Sequence, residues 1–348
     1  MVDPWPTKRI DMAKPQQADC HLFTTSVNNL EWMPTRVKKN LLSFYHGYKI
    51  ALDEHKIDAS SYAAWFDDFI KYIRMQLTTP FIFQPYHEKI RTPFDYYKFG
   101  NDFFHLLVDK KNSHIYGEAQ IEEIIAHQKQ GHNVILLANH QIEADPQAIS
   151  ILLDEKYPGL AEEMIFVAGE RVITDPLAVP FSMGRNLLCI YSKRYIDHPP
   201  EKKAEKQHHN KRAMELMRIL LQEGGKCIYV APSGGRDRKN ASGVVEVAKF
   251  DPQSIEMFYL MAQKAKTPTY FYPMALATYD LFPPPETIQI ELGETRSSKR
   301  GPIHLSIGTM IDMEYYPGYD LPNKHDRRGA RADYIWNRVS TDYQRITS

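Results

Sequence analysis

Cysteine is scarce in this chain: three in 348 residues, Cys20, Cys189 and Cys227. An odd and sparse set builds no disulfide framework, so a reducing compartment is expected. Cys189 and Cys227 lie inside apolar runs ("NLLCIYS" and "KCIYVAP") and read as small buried hydrophobes. No apolar run approaches the roughly 18 residues needed to span a bilayer. An excess of one charge is missing too. Lys+Arg and Asp+Glu both number 43, which argues against bulk electrostatic binding of nucleic acid. The opening "MVDPWPTKRIDMAKPQQADC" lacks the apolar core of a signal peptide and contains acids but no serine, unlike a transit peptide. A soluble protein of the cytoplasm, or of an equivalent reducing compartment, is the expectation. Several motifs are absent as well. There is no GxxxxGK[ST], no GxSxG, no HExxH and no CxxC, so P-loop, serine-hydrolase and metal chemistry have no support and no metal is expected. "KQHHNK" (206–211) has metal-like residues, but it opens a charged helix and reads as a solvated face.

What is present has two textures. After a proline-punctuated start, "RVKKNLLSFYHGYKIALDEH" (36–55) sets Leu41, Tyr45, Tyr48 and Leu52 on one helical face. "SYAAWFDDFIKYIRMQL" (61–77) does the same with Trp65, Phe69 and Ile73. Residues 1–82 are therefore expected to form a small helical domain. Pro80, Pro85 and Pro93 then mark a linker or crossover. From about residue 118, short apolar runs alternate with amphipathic helices. The runs are 133–139, 164–169, 186–192, 226–232, 268–276, 287–293 and 304–311. The helices include 121–131 and 210–225, with one more over 327–346. This alternation predicts an α/β fold, a sheet flanked by helices on both faces, over 83–348. "MFYLM" (257–261), with Met257, Phe258, Tyr259 and Met261, reads as core packing.

The stretch "VILLANHQIEADPQAIS" (134–150) runs from an apolar strand through a polar break into a helix. Proline suits the first helical position and Asp the preceding cap, so a helix from Pro146 capped by Asp145 is predicted. His140 then falls in a loop at the carboxyl end of a strand, where open α/β sheets keep ligands. On one helix His140 and Asp145 would sit about 140° apart. In a loop the carboxylate can return to the imidazole, fix its tautomer and leave the other nitrogen as a base. Other strand ends supply cations: Lys193 and Arg194 after one, Arg236 and Arg238 after "APSGG". There Ser233, Gly234 and Gly235 allow an unusual backbone path for close ligand approach. Guanidinium groups suit phosphate oxygens bidentately.

Together "NHQIEADP", "PFSMGRNLLCIYSKR" and "APSGGRDR" resemble the soluble, plastid-type glycerol-3-phosphate acyltransferases, a type also found in some intracellular bacteria. "RTPFDYYKFGNDFF" (91–104) and "KTPTYFYPMALATYDLFPPP" (266–285) extend the resemblance over about 85–295. It implies a mixed sheet flanked by helices with a small N-terminal helical bundle. It also implies acyl transfer to the sn-1 hydroxyl of glycerol 3-phosphate, with acyl-carrier protein or acyl-CoA as donor and no cofactor. The family's catalytic pair falls on His140 and Asp145, and its phosphate-binding cations on Lys193, Arg236 and Arg238. Arg194 stands where plant members commonly have histidine. "APSGG" replaces the Phe-Pro-Glu-Gly of many membrane-bound relatives, which favours the soluble branch over an sn-2 (lysophosphatidate) acyltransferase. A non-catalytic protein that binds phosphorylated ligands or carrier protein would use the same cations and leave His140 idle. Acyl-carrier proteins are acidic, so a basic docking face is needed; 201–212 and then 324–331 are the candidates. Transient membrane contact is compatible with this reading, and the compartment is bacterial cytoplasm or plastid stroma.

Overall fold

The computed structural model describes residues 20–58, 61–192, 196–285 and 296–348; the strand expected over 287–293 lies outside them. Four helices come first: α1 (Cys20–Asn28), α2 (Thr35–Asp53), α3 (Ala63–Thr78) and α4 (Tyr96–Leu107). The spacing that predicts α2 also buries it, because Leu41, Phe44, Tyr45, Tyr48 and Leu52 all face inward. Phe66, Phe69, Ile70 and Ile73 do the same for α3. α4 begins where Asp95 accepts a hydrogen bond from the Lys98 amide. Aromatic rings fill the space between these helices. Trp65 stacks on Phe99 at 4.4 Å and Tyr48 on Phe103 at 4.1 Å. The same apolar cluster continues into Ile142, Ala144, Ala148, Leu281 and Phe282, so the N-terminal helices support the backbone around the 139–145 loop directly.

Among the described residues the sheet has eight strands in the order β1-β5-β4-β6-β3-β9-β10-β2. In chain order they are β1 (Tyr86–His87), β2 (His114–Tyr116), β3 (Asn133–Ala138), β4 (Ile165–Ala168), β5 (Asn186–Cys189), β6 (Cys227–Val230), β9 (Thr269–Ala277) and β10 (His304–Ile307). A separate hairpin pairs β7 (Arg238–Lys239) with β8 (Val245–Glu246). The five central strands, β5, β4, β6, β3 and β9, are parallel, while β1 and β10 join antiparallel. This is the expected mixed sheet. All six residues of β3 are buried, which is why it reads as an unbroken apolar run. The proline-marked 80–93 stretch differs from a free linker: Phe83 and His87 are buried, and Tyr86–His87 add an edge strand to β5. Its apolar residues draw it onto the sheet. The run at 304–311 forms a strand only as far as Ile307 and meets the sheet again at Ile311, which bridges Phe271.

Helices cover both faces. Val134, Leu136 and Ala138 pack toward α5 (Glu118–Lys129) and α6 (Asp145–Leu153), meeting Ile121, Ile149 and Leu153. Ile135 and Leu137 face α10 (Lys203–Glu223), α11 (Pro252–Ala265) and α12 (Lys324–Thr347), meeting Met217, Phe258 and Val339. Met257, Tyr259 and Met261 pack against that second cluster. β3 thus leaves toward one face and its neighbour β6 toward the other. Where connections of adjacent parallel strands diverge, a crevice opens at the strands' carboxyl ends. Short helices α7 (Leu160–Glu163), α8 (Glu170–Thr174) and α9 (Val179–Ser182) flank β4 and lead into β5. Gly184 makes that approach possible: a Cβ there would lie 2.4 Å from the Tyr97 nitrogen at the start of α4.

Candidate active site

His140 sits two residues past β3, at the crevice. Its Nδ1 is 2.7 Å from Asp145 Oδ2. Asp145 is fully buried, while the imidazole is 30% exposed. The same carboxylate oxygen accepts from the Gln141 amide at 2.9 Å and the Ile142 amide at 3.4 Å, and Oδ1 accepts from Thr278 Oγ1 at 2.6 Å. A carboxylate holding that many donors is an acceptor toward the ring. The proton therefore belongs on Nδ1, and Nε2 remains for a reactant.

One expectation is corrected here. α6 starts at Asp145 itself, and its capping position, Ala144, makes no side-chain cap bond. Asp145 does not cap the helix through its side chain, because the carboxylate turns back into the loop to serve His140, Gln141 and Ile142.

A buried polar network surrounds the pair. Asn139 donates to Asp237 Oδ2 at 2.8 Å and exchanges hydrogen bonds with the backbone of Leu276. Gln141 donates to the same Asp237 oxygen at 3.2 Å and accepts from the Thr278 and Tyr279 amides. Tyr229 donates to the Asn139 carbonyl at 2.7 Å. Burial pushes the Asp237 carboxyl up to about 6, against the lowering effect of bonds from Ala248, Asn139 and Gln141 and of nearby His140.

Arg296 forms a second buried cluster. It meets Glu143 and Asp175, each at 2.8 Å. Burial favours the neutral acid at Glu143, but Arg296, Arg236 and Arg171 outweigh it and hold the carboxyl below its ordinary value. Burial likewise disfavours the Arg296 cation, and the two carboxylates more than restore it. Asn139, Gln141, Glu143, Asp175, Thr278, Asp237 and Arg296 were not singled out from the sequence. Asp237, Thr278 and the 139–143 residues stand inside quoted motifs, but a buried polar residue has no periodic signature there.

Of the expected cations, Arg236 and Arg238 flank Asp237, whose amide donates to the His140 carbonyl at 2.6 Å. That contact brings the 233–238 loop against His140. Ser233 closes the turn onto the Gly235 carbonyl at 2.8 Å, and Gly234 takes φ +63° with open space where a side chain would stand. Lys193 and Arg194 lie outside the described residues. "KQHHNK" is not a solvated face throughout. Lys206 is 3% exposed and meets Glu170 at 3.0 Å, while His209 bonds the Cys189 carbonyl. The helix start packs onto the loop that follows β5, and its charges are used there.

From His140 a cleft of about 900 Å³, partly open to solvent, runs along β4 and β5. Its walls are mainly apolar, with Phe44, Phe104, Phe166, Val172, Leu177 and Phe181 among them. Gly169, just past β4, lines one end. Arg185, just before β5, lines it too, and Asn186 pairs with Ile165 at the start of β4. Arg185 is buried against Ser150 and over the Tyr97 ring, and burial pushes its guanidinium down to about 10. Among the described residues no group of His, Cys, Asp or Glu could hold a metal ion, and no helix is long and apolar enough to cross a membrane.

Comparison with known proteins converges on one group. A family model described as Acyltransferase matches residues 114–277, the stretch that holds β2 through β9 and all of the polar network up to Thr278. A chloroplastic glycerol-3-phosphate acyltransferase of Cucurbita moschata is 37% identical over 320 residues, 89% of this chain and 70% of its own length. That of Phaseolus vulgaris is 40% identical over 324 residues, 91% of this chain and 69% of its own. Among solved structures, the 1-acyl-sn-glycerophosphate acyltransferase PlsC of Thermotoga maritima covers 89% of this chain and 98% of its own, at 18% identity and a TM-score of 0.42. On identity of this extent along both sequences, the chain belongs to the glycerol-3-phosphate acyltransferase family.

Proposed function

We propose that this protein transfers a fatty acyl chain from a carrier thioester to the sn-1 hydroxyl of glycerol 3-phosphate, giving 1-acyl-sn-glycerol 3-phosphate. The observation that carries the reading is the His140–Asp145 pair, 2.7 Å apart, at the head of an apolar cleft. His140 Nε2 takes the hydroxyl proton. The alkoxide attacks the thioester carbonyl, the tetrahedral intermediate expels the thiolate, and His140 returns its proton to the sulfur. Bonds and protons balance with no acyl-enzyme and no cofactor. A positioned base contributes about 10²–10⁴-fold. Holding both substrates together contributes more, because it makes the encounter effectively unimolecular.

Arg236 and Arg238 hold the phosphate, joined by Lys193 and Arg194, with Ser233, Gly234 and Gly235 shaping the loop. The apolar cleft takes the acyl chain, a role the sequence alone did not locate. For the donor, acyl-carrier protein fits better than acyl-CoA, and the 201–212 segment supports it. Lys211 and Arg212 there are exposed, and Asn210 bonds the Tyr191 backbone beside the strand end that leads to Lys193. Arg328 and Arg331 of the 324–331 segment are instead engaged by Glu256. The compartment assigned to the protein is the plastid stroma or a bacterial cytoplasm.

The test offers labelled glycerol 3-phosphate and its 1-acyl derivative separately, with acyl-carrier protein and acyl-CoA as donors. Acylation of glycerol 3-phosphate at sn-1 is expected, faster from the carrier protein. Acylation of the 1-acyl derivative alone would make this an sn-2 enzyme. Binding of glycerol 3-phosphate with no transfer from either donor would make it a binding protein.

A further inference from the structure

Asp237 stands between the two arginines assigned to the phosphate, yet its side chain is turned away from solvent and is 0% exposed. Two of its atoms grip the segment that carries the base, and a third ties in another segment. Its amide donates to the His140 carbonyl at 2.6 Å. Its Oδ2 accepts from Asn139 and from Gln141, the residues on either side of His140, at 2.8 and 3.2 Å. Oδ1 accepts from the Ala248 amide at 2.9 Å, which ties in the segment that follows the β7–β8 hairpin. The connection continues beyond Gln141. That side chain accepts from the Thr278 amide at 2.7 Å, and Thr278 Oγ1 donates to Asp145 Oδ1 at 2.6 Å. Asp145 in turn holds His140 Nδ1. Asp237, Gln141, Thr278, Asp145 and His140 thus form one unbroken buried chain, closed on itself by the Asp237 amide.

Buried networks in which every member is satisfied act as rigid units. Here the unit has Arg236 and Arg238 at one end and the imidazole at the other. We infer that Asp237 is a positioning residue that locks the phosphate-binding loop in register with the His140 base, so that a phosphate held by the arginines delivers the acceptor hydroxyl to Nε2. The inference rests on the acyltransferase reading above. It goes beyond it by assigning a coupling between phosphate and base to a carboxylate that touches neither substrate.

The carboxylate offers acceptors to three donors at once. An asparagine has one carbonyl oxygen and one amide, so Asp237→Asn sets a donor against at least one of Ala248, Asn139 and Gln141. The loops then lose register without losing either arginine or the histidine. Misplacement of about 1 Å costs about a hundred-fold in rate.

The readout is the ratio of kcat with glycerol 3-phosphate to kcat with phosphate-free glycerol, measured on the full chain alongside glycerol 3-phosphate affinity. In the wild type the ratio is large, because phosphate binding orients the hydroxyl. In Asp237→Asn the ratio is expected to fall about a hundred-fold, with glycerol 3-phosphate affinity held within about threefold. Rates on both acceptors falling in the same proportion would reduce Asp237 to general structural support and overturn the inference, as would an unchanged ratio. If Asp237→Asn does not fold, Gln141→Met breaks the same chain with an apolar side chain of similar size, and it must collapse the ratio or the inference fails. A wild type that transfers nothing to glycerol 3-phosphate sinks the acyltransferase reading instead, so the two failures are distinct.

Discussion

The carboxyl edge of β3, β6 and β9 and the cleft along β4 and β5 are adjacent, yet they are built from opposite materials. The first is a lattice of buried amides, carboxylates and hydroxyls, each bonded to a named partner: Asn139, Gln141, Asp145, Asp237 and Thr278. The second is lined mainly by apolar residues, five phenylalanines among them. Hydrogen bonds are directional and costly to leave unmade. Apolar contact is non-directional and scales with area. The polar edge is therefore suited to fixing atoms for proton transfer, and the cleft to holding a chain that needs no register. Substitutions in the first should act on turnover, and those in the second on donor affinity.

The sharpest way to break that division is at Asp145. Asp145→Ala removes the group that orients His140 and strands the donors of Gln141, Ile142 and Thr278. A fall in kcat of about 10²–10⁴-fold is expected, with glycerol 3-phosphate binding retained in calorimetry. A change confined to donor KM would erase the distinction between the two regions. Arg296 is where they meet, since it lines the cleft and pairs with both Glu143 of the 139–145 loop and Asp175 ahead of α9. Arg296→Met leaves two buried carboxylates unpaired, and a loss of about 3–5 kcal/mol in stability is expected, read as a lower thermal midpoint.

Much of the polar edge was legible because it is local. His140 and Asp145 are five residues apart, and the proline after Asp145 marked the strand-to-helix break. The amphipathic spacing of Leu41, Tyr45, Tyr48 and Leu52 marked α2 for the same reason. Thr278 and Arg296 were not legible. They reach the site from 133 and 153 residues away in sequence; Thr278 lies inside the 266–285 block, but nothing there marks its hydroxyl as a partner of Asp145. Asp237 stood inside a quoted motif, but its flanking arginines drew the chemistry and its own inward turn has no sequence signature. The cleft was hidden because α2, α4, β4 and α9 each contribute one or two apolar residues that read as ordinary core.

Titration sharpens the comparison within the polar edge. The folded-state value of Asp237, about 6, lies above the ordinary 3.8. The folded protein therefore holds a proton that the unfolded chain has released between those values. Stability from this group is fully present below about 4 and is lost as pH rises through about 6, by up to about 3 kcal/mol. Asp237→Asn lacks this loss. Its thermal midpoint relative to wild type should climb from about pH 4 to about pH 6 and then level off. A difference independent of pH would show that the carboxyl does not titrate there. The cleft offers the smallest effect. Phe181→Ala removes one ring from its wall, and about a ten-fold rise in donor KM is expected, with kcat spared. A comparable fall in kcat would mean the wall also sets the reacting geometry.

The most direct test of the central claim compares His140→Ala with the wild type, measuring glycerol 3-phosphate affinity and single-turnover acyl transfer on the same preparations. The division of labour proposed here predicts transfer reduced by about 10²–10⁴-fold with affinity nearly unchanged. Transfer close to wild type would show that His140 is not the base, and the buried chain running from Asp237 to its imidazole would then serve the fold and not the reaction.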